Sequence, residues 1–469
     1  MPPALATVLF FGLIILLLAK DHESRADFSP GLWIALIWVA ILGSRPISLW
    51  VGGGLIVNKV DDYVEGSPLD RLVYLSLIVA GLLVLAGRGF RWSQAISANK
   101  VLFLLYGYFA ISSLWSIYPG VSFKRCVKDM GNLVIVMVII SEKDPLAAAR
   151  SVFVLIAYVF TPLSVLFIKY IPEIGRAYSP SGTLNVTGVA SSKNELGCAL
   201  LVCGLFLWLT LLDRRERQRE DPAGTPLVLF PLYLTLGMMA WISYRANSMT
   251  SLLCFVIGAS LLWGLRRPIL QSRMQHLGTY MIVVAGFFTF SRVFPSISGV
   301  LFKLLNRDPT LTGRTDIWKL VLEEHTNPLI GTGFYSFWLG ERVDKFWRLY
   351  EFRLNEAHNG YLETYLNNGL IGVGLLLAVL LSSARKMRDS FMNGNHAVAM
   401  RLVLVIIGML YNLSEAAFNR MGLIWFALLL AVAEYPAMVS QQQPSEMSEQ
   451  LSAEEGDPPG AAFSDLPNS

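Results

Sequence analysis

Charge is what this chain has least of. Asp, Glu, Lys and Arg make up 15% of its 469 residues, against 54% hydrophobic, and the mean hydropathy is +0.51. A soluble domain of this size could not hide that much apolar surface, which excludes an ordinary water-soluble fold. Cysteine is almost as scarce. Cys126, Cys198, Cys203 and Cys254 fall in or beside apolar segments and form no ligand motif, so they read as small apolar filling. Also missing are a dinucleotide-binding glycine fingerprint, a P-loop, a zinc-ligand pattern and any internal repeat. The basic run near 213 has neither interleaved aromatics nor a soluble binding domain around it, which argues against a nucleic-acid partner.

What the chain does have is long apolar runs. About thirteen are long enough to approach a bilayer crossing, centred in 5–19, 29–43, 71–86, 100–115, 126–140, 150–168, 194–212, 226–243, 249–265, 277–290, 369–383, 398–413 and 422–437. The stretch 44–60 is ambiguous, so the expected count is about 12–14. Unsatisfied backbone groups are costly in lipid, and helices are the expected form. The first run, "ALATVLFFGLIILLLA", has no basic residue before it and no small-residue cleavage site after it. It reads as a first membrane helix rather than a removed signal peptide.

The few charges are placed unevenly. "DRRERQRED" (213–221), "RRPILQSR" (266–273) and "ARKMRDS" (384–390) are strongly basic, which assigns them to the cytoplasm. The loops around 116–122, 170–190, 243–248 and 291–368 then lie on the opposite side, and only the last is of domain size. Within it Ile317, Val321 and Leu322 oppose Asp316, Lys319 and Glu323, a pattern for interfacial helices, with Trp318, Trp338 and Trp347 as membrane-interface anchors. The tail from 439 is too polar to fold and reads as a disordered cytoplasmic tail after one membrane domain spanning 1–438. The expected architecture is an all-α polytopic membrane protein with one large extracytoplasmic loop.

Several polar residues at that extracytoplasmic face invite chemistry. Arg245, in "WISYRANSMTSLL", has a permanently charged five-donor fork suited to phosphate; the alternative is a snorkelling arginine at a helix end. Arg314, in "LTGRTDIWK", stands at an expected helix start where anions bind; alternatively Thr315 or Asp316 is a cap and Arg314 faces solvent. Lys193, Asn194 and Glu195 open another helix after a Gly/Ser/Thr-rich approach, where they would line a sugar or phosphate pocket or simply cap the helix. Arg125 enters a membrane segment beside Lys124, Lys128 and Asp129. In "NEAHNGYLETYLNNG", His358 is a group for taking a proton from a hydroxyl or holding it in line, or else an ordinary loop histidine. Glu356 is placed to orient it, and Tyr361 and Glu363 follow as substrate-binding candidates.

Taken in order, "LWSIYP" (114–119), "GTLNVTGVASSKNELG" (182–197), "SYRANSMTSLL" (243–253), "TGRTDIWK" (312–319), "NPLIGTGFYSF" (327–337) and "EAHNGYLETYLNNGLIG" (356–372) resemble the bacterial O-antigen ligase/polymerase family, particularly its exopolysaccharide-production members. The resemblance covers most of 100–435. One departure is Ser192, where the family often carries a histidine or basic residue before the Lys193–Asn194 pair. The resemblance implies a metal-independent, cofactor-free, inverting glycosyltransferase of the bacterial inner membrane, with its active site facing the periplasm. Its donor would be a polyprenyl-diphosphate-linked glycan, its acceptor a glycan or a lipid core, and its partners polysaccharide export and assembly proteins. By the same resemblance Arg245 and Arg314 would engage the diphosphate, and His358 would serve the acceptor hydroxyl. Polymerisation and ligation to a lipid A core or protein differ only in the acceptor. A transporter for an anion or lipid-linked sugar is the alternative of another class; it calls for paired halves and binding groups at the bilayer midplane.

Overall fold

Proline and small polar caps start most of the helices. Pro3, Pro30, Pro68, Pro119 and Pro145 each occupy the first helical position, where a missing N–H costs nothing. Ser29, Ser67, Asp144, Ser192 and Asn359 accept backbone N–H bonds as N-caps. The structure is a computed structural model that describes residues 1–21, 28–52, 66–178, 182–222, 228–276, 314–349 and 354–434. The expected helix at 277–290 and the expected disordered tail lie outside the described residues.

The longer helices are α1 (Pro3–Lys20), α2 (Pro30–Gly43), α3 (Pro68–Gly87), α4 (Trp92–Ala98), α5 (Lys100–Ser112), α6 (Pro119–Ile140) and α7 (Pro145–Tyr170). They continue with α8 (Lys193–Glu220), α9 (Phe230–Ala246), α10 (Met249–Gly264), α11 (Arg314–Glu323), α12 (Gly340–Leu349), α13 (Gly360–Met392), α14 (Ala399–Tyr411) and α15 (Leu423–Val432). Five of them (α1, α3, α7, α8 and α13) are long and apolar enough to cross a membrane, and α4 and α5 form an apolar pair bent by 100°, as a broken span or a re-entrant loop would be. Shorter apolar helices include α2, α10 and α15. This is a polytopic, mostly helical membrane protein. Its strand pairing among the described residues is one hairpin, β1 (Arg176–Tyr178) against β2 (Leu184–Val186), antiparallel with Ala177 opposite Asn185.

Helix α8 is the central post, packed on α7, α9, α10 and α15, whereas α1 and α3 turn exposed leucines outward. At one end of the post, Arg214 meets Asp21 at 2.6 Å with both side chains buried, and Tyr158 donates to the same carboxylate. That ties α8 to the end of α1 and the middle of α7. Arg266, after α10, pairs with Asp213 and Glu216 at this same end, so two of the basic segments share one face.

The large loop builds a small core of its own at the other end. Ile317 and Val321 of α11 and Val343 and Phe346 of α12 pack with Phe337, Trp338, Leu354, Ala357 and Leu366. Leu322 departs from the expected apolar face and is 57% exposed, because α11 is held by one narrow stripe. The three tryptophans also depart from expectation. Their indole N–H groups point inward, from Trp318 to the Ala357 carbonyl (2.7 Å), from Trp347 to the Leu354 carbonyl (3.0 Å) and from Trp338 to Glu363 (2.6 Å). A buried carbonyl or carboxylate needs a donor more than the interface needs an anchor.

The segment 360–368, read as loop from sequence, is the helical start of α13, which breaks at Gly369 (φ 63°). Into the break docks 327–331: Leu370 and Ile371 donate to the carbonyls of Pro328 and Leu329 at 2.9 and 3.1 Å. A Cβ on Gly369 would overlap the Leu329 carbonyl. Gly369→Ala should therefore lower the thermal midpoint in detergent, at a cost of about 2 kcal/mol or more from positive φ and overlap together. An unchanged midpoint would show that the break does not depend on glycine.

Candidate active site

Two chain segments meet above α13. Asn359 caps the helix through Tyr361 and Leu362 N–H, and its own amide donates to the Leu413 carbonyl at 3.2 Å. Gly360 N–H donates to the Asn412 carbonyl at 2.9 Å, in contact so close that a Cβ would collide with the Asn412 side chain. Asn412 in turn receives the N–H groups of Ala417 and Phe418, both at 2.8 Å. These bonds set the 412–420 turn against the 354–359 segment and bring four charged side chains together.

The imidazole of His358 stands between two carboxylates. Its Nδ1 lies 2.9 Å from Glu356 Oε1 and 3.5 Å from Glu415 Oε2, close enough for charge pairing but off the line of an N–H bond to either. Glu415, buried, also accepts from Arg314 Nη2 at 2.9 Å and from the Asn194 amide at 3.2 Å. Glu356 is gripped by Arg420, whose other nitrogen donates to the Asn355 carbonyl at 3.1 Å. Glu363 lies beneath, buried, accepting from Trp338 and from Ala357 N–H at 3.0 Å, with Arg420 at 3.8 Å. It positions the backbone next to His358.

Electrostatics follow from this crowding. Burial alone raises the Glu356 carboxyl, but Arg420 and His358 overcome it and hold the group down at about 2. Burial alone lowers the His358 imidazole, and the Glu356 and Glu415 carboxylates reverse the sign and lift it to about 9. His358 is then a cation at neutral pH. Among the described residues its Nε2 has no hydrogen-bond partner, which leaves that ring edge for a substrate. Glu356, His358 and Glu415 offer ligand atoms within 4.8 Å of one another, a set that could hold a metal ion. Arg420 and Arg314 already neutralise the two carboxylates, so the cluster as built suits an oxyanion or hydroxyl better than a divalent cation.

Strain marks the same region. Among non-glycine described residues, Asn247, Tyr335, His358 and Asn419 have φ between 50° and 57°. Such backbone costs about 1 kcal/mol or more and collects where function over-determines geometry.

The other expected site residues take varied places. Arg125 donates to the Tyr335 carbonyl at 3.2 Å and covers that ring, so it holds the 328–338 loop. Tyr361 donates to the Met409 carbonyl at 3.2 Å and packs edge-on against Phe418. Lys193 is exposed at the start of α8, where Ser192 caps Glu195 N–H and Glu195 accepts from Ser191 N–H in return. Arg245 is exposed at the end of α9. Its turn approaches the cluster through Thr250, which hydrogen-bonds Ser414 at 2.9 Å. The sequence reading missed Glu415 and Arg420. Their signal was two charges in "NLSEAAFNR" between apolar helices, beside the same face as His358.

Residues 227–377 match the protein family described as O-antigen ligase. That stretch holds Arg245, Arg314 and His358. The chain is also similar to the exopolysaccharide production protein ExoQ of Rhizobium meliloti (strain 1021), with 24% identity over 286 residues. The similarity takes in 58% of this chain and spans 61% of that relative's length. Together the two matches link this chain to the O-antigen ligase and exopolysaccharide-production proteins, with Asn194, Glu415 and Arg420 outside the family-matched stretch.

The pKa shifts set the stability window of the cluster. The raised His358 value contributes stability that is complete below about 6.5 and lost as pH rises through about 9. The lowered Glu356 value contributes above about 4.5 and fades as pH falls toward 2. The thermal midpoint should therefore fall on raising pH from 6.5 past 9, and His358→Gln should flatten that limb. Equal slopes in both proteins would refute the paired imidazolium.

Proposed function

We propose that the His358 cluster is the transfer centre of a membrane glycosyltransferase that polymerises polyprenyl-diphosphate-linked oligosaccharides for an exopolysaccharide. The observation that carries this reading is the pairing of Arg314 and His358 on one buried carboxylate, Glu415, at the non-basic end of the helical bundle. A diphosphate arriving there can take over the Arg314 guanidinium from Glu415, exchanging one anion for another without leaving a bare charge. Arg245, exposed at the adjoining helix end, would add a second fork. The acceptor hydroxyl oxygen forms a bond to the anomeric carbon as the bond to the diphosphate oxygen breaks, the hydroxyl proton passes to water, and the two arginines stabilise the charge that gathers on the leaving group.

His358 holds the acceptor oxygen through Nε2. Because its imidazole is a cation at neutral pH, positioning is the role its environment favours, with base catalysis requiring that the ring first lose its proton. The matched relative's name, an exopolysaccharide production protein, favours polymerisation. The family description, O-antigen ligase, favours transfer of a finished glycan to a lipid core or protein as the second reading. The helix break at Gly369 is filled by the 327–331 loop rather than by a midplane cavity, which weighs against a transporter. We place the protein in the bacterial inner membrane with this cluster on the periplasmic face, since the basic segments gather at the opposite end.

Purified protein given a polyprenyl-diphosphate oligosaccharide should yield longer lipid-linked glycans, whereas product on a lipid core alone would favour ligation. His358→Ala should cut turnover by about 100-fold or more while sparing donor binding, and Arg314→Ala should weaken donor use. Turnover should also decline as pH rises through about 9, and Glu356→Gln should move that decline to lower pH by removing a carboxylate that supports the imidazolium. A rate that climbs through the same range would instead make His358 the base.

A further inference from the structure

Helices α8, α9 and α10 do not close against one another along one side. They leave a groove of about 680 Å³ whose lining runs from Gly197, Ser248 and Ser251 at the cluster end to Arg215, Arg219, Arg266 and Arg267 at the other. Along α8, Gly197 to Arg219 spans about 33 Å, close to a full hydrocarbon thickness. Between these ends the walls are apolar, including Trp208, Leu252, Phe255, Val256 and Trp263. Leu252, Val256 and Trp263 are 37%, 52% and 51% exposed, so the groove opens sideways. Its back is tight: Trp208 donates to the Ala259 carbonyl at 3.1 Å, and Gly204 admits Phe255 where a Cβ would crowd it.

The arginine end is not neutral. Arg266 is consumed by Asp213 and Glu216. Arg215 lies over the Tyr233 ring at 5.2 Å and Arg267 over the Trp263 ring at 5.1 Å, contacts that orient a guanidinium without cancelling its charge. Arg215, Arg219 and Arg267 have no carboxylate partner among the described residues. Three cations, two of them oriented by rings, at the mouth of an apolar, laterally open groove match one chemistry: a phosphodiester anion carrying acyl chains.

We propose that this groove is a binding site for an anionic glycerophospholipid, with its phosphate on Arg215, Arg219 and Arg267 and an acyl chain laid along Trp208, Phe255 and Val256. The site lies at the opposite end of α8 from Asn194 and Glu415, and the inference does not rest on the proposed glycosyl transfer. A lipid there would fill the space between α9 and α10, whose facing ends carry Arg245 and Thr250.

The test uses the full chain in mixed micelles holding phosphatidylglycerol and phosphatidylcholine, with retained lipid counted by native mass spectrometry. The wild-type chain should retain phosphatidylglycerol preferentially. Replacing the three cations (Arg215→Gln, Arg219→Gln and Arg267→Gln together) should reduce that retention by about tenfold or more, and the corresponding triple lysine variant should restore most of it. Ala259→Trp, which fills the groove with all cations intact, should also lose the lipid. A symmetric gel-filtration profile for each variant separates lost binding from lost fold. Equal retention of the two phospholipids by the wild-type chain would overturn the proposal, as would undiminished phosphatidylglycerol on the folded glutamine variant. Displacement of phosphatidylglycerol by an equimolar polyprenyl phosphate would equally overturn it, by giving the groove to an isoprenoid.

Discussion

A carboxylate cannot be buried alone, and Glu415 is the place where this constraint organises the molecule. It is 7% exposed, on a turn between two apolar helices, and it draws positive or donor groups from three distant segments: Arg314, His358 and Asn194. The penalty for leaving such a charge unpaired is several kcal/mol, so the three segments are held to one geometry. Glu356 repeats the arrangement with Arg420 and shares the same imidazole nitrogen, Nδ1, with Glu415. The result is a compact alternation of charge in which each anion already has a cation, and a new anion can enter only by exchange.

Rigidity beneath the cluster comes from uncharged donors. Trp318 and Trp347 tie the carbonyls of Ala357 and Leu354, Glu363 ties the Ala357 N–H, and Asn359 ties the Leu413 carbonyl, so His358 is fixed on both sides in a left-handed backbone it would not choose alone. The break at Gly369 serves the same end. By interrupting α13 it lets 327–331 dock, and Arg125 then fixes the next turn at Tyr335. The packed loop core and the helical bundle thus meet through hydrogen bonds with defined partners.

The arginines at the two ends of α8 differ in what surrounds them. Near Asn194 the cations face carboxylates inside a polar cluster. At the far end Arg215 and Arg267 face aromatic rings beside an apolar groove, while Arg214 and Arg266 are neutralised by carboxylates. One helix therefore connects the proposed anion-exchange site with the proposed lipid groove.

The sequence alone determined the membrane-spanning helical class, since apolar runs with so few charges have no other stable state, and it determined the face on which His358 and Arg314 stand. It also carried the turn around Asn247 and the helix start at Lys193, because turns and helix starts are local, but not the Asn359 cap, since 360–368 read as loop. Tertiary structure decided the rest. Asn194, Arg314, His358 and Glu415 are scattered over more than two hundred positions of chain, and nothing in periodicity says which carboxylate will neutralise which cation. The inward turn of Trp318, Trp338 and Trp347 was equally hidden: an indole prefers an interface or a buried acceptor for the same reason, and only the fold supplies the acceptor. Pairing of buried charge is a long-range condition, and it is settled by which segments pack together.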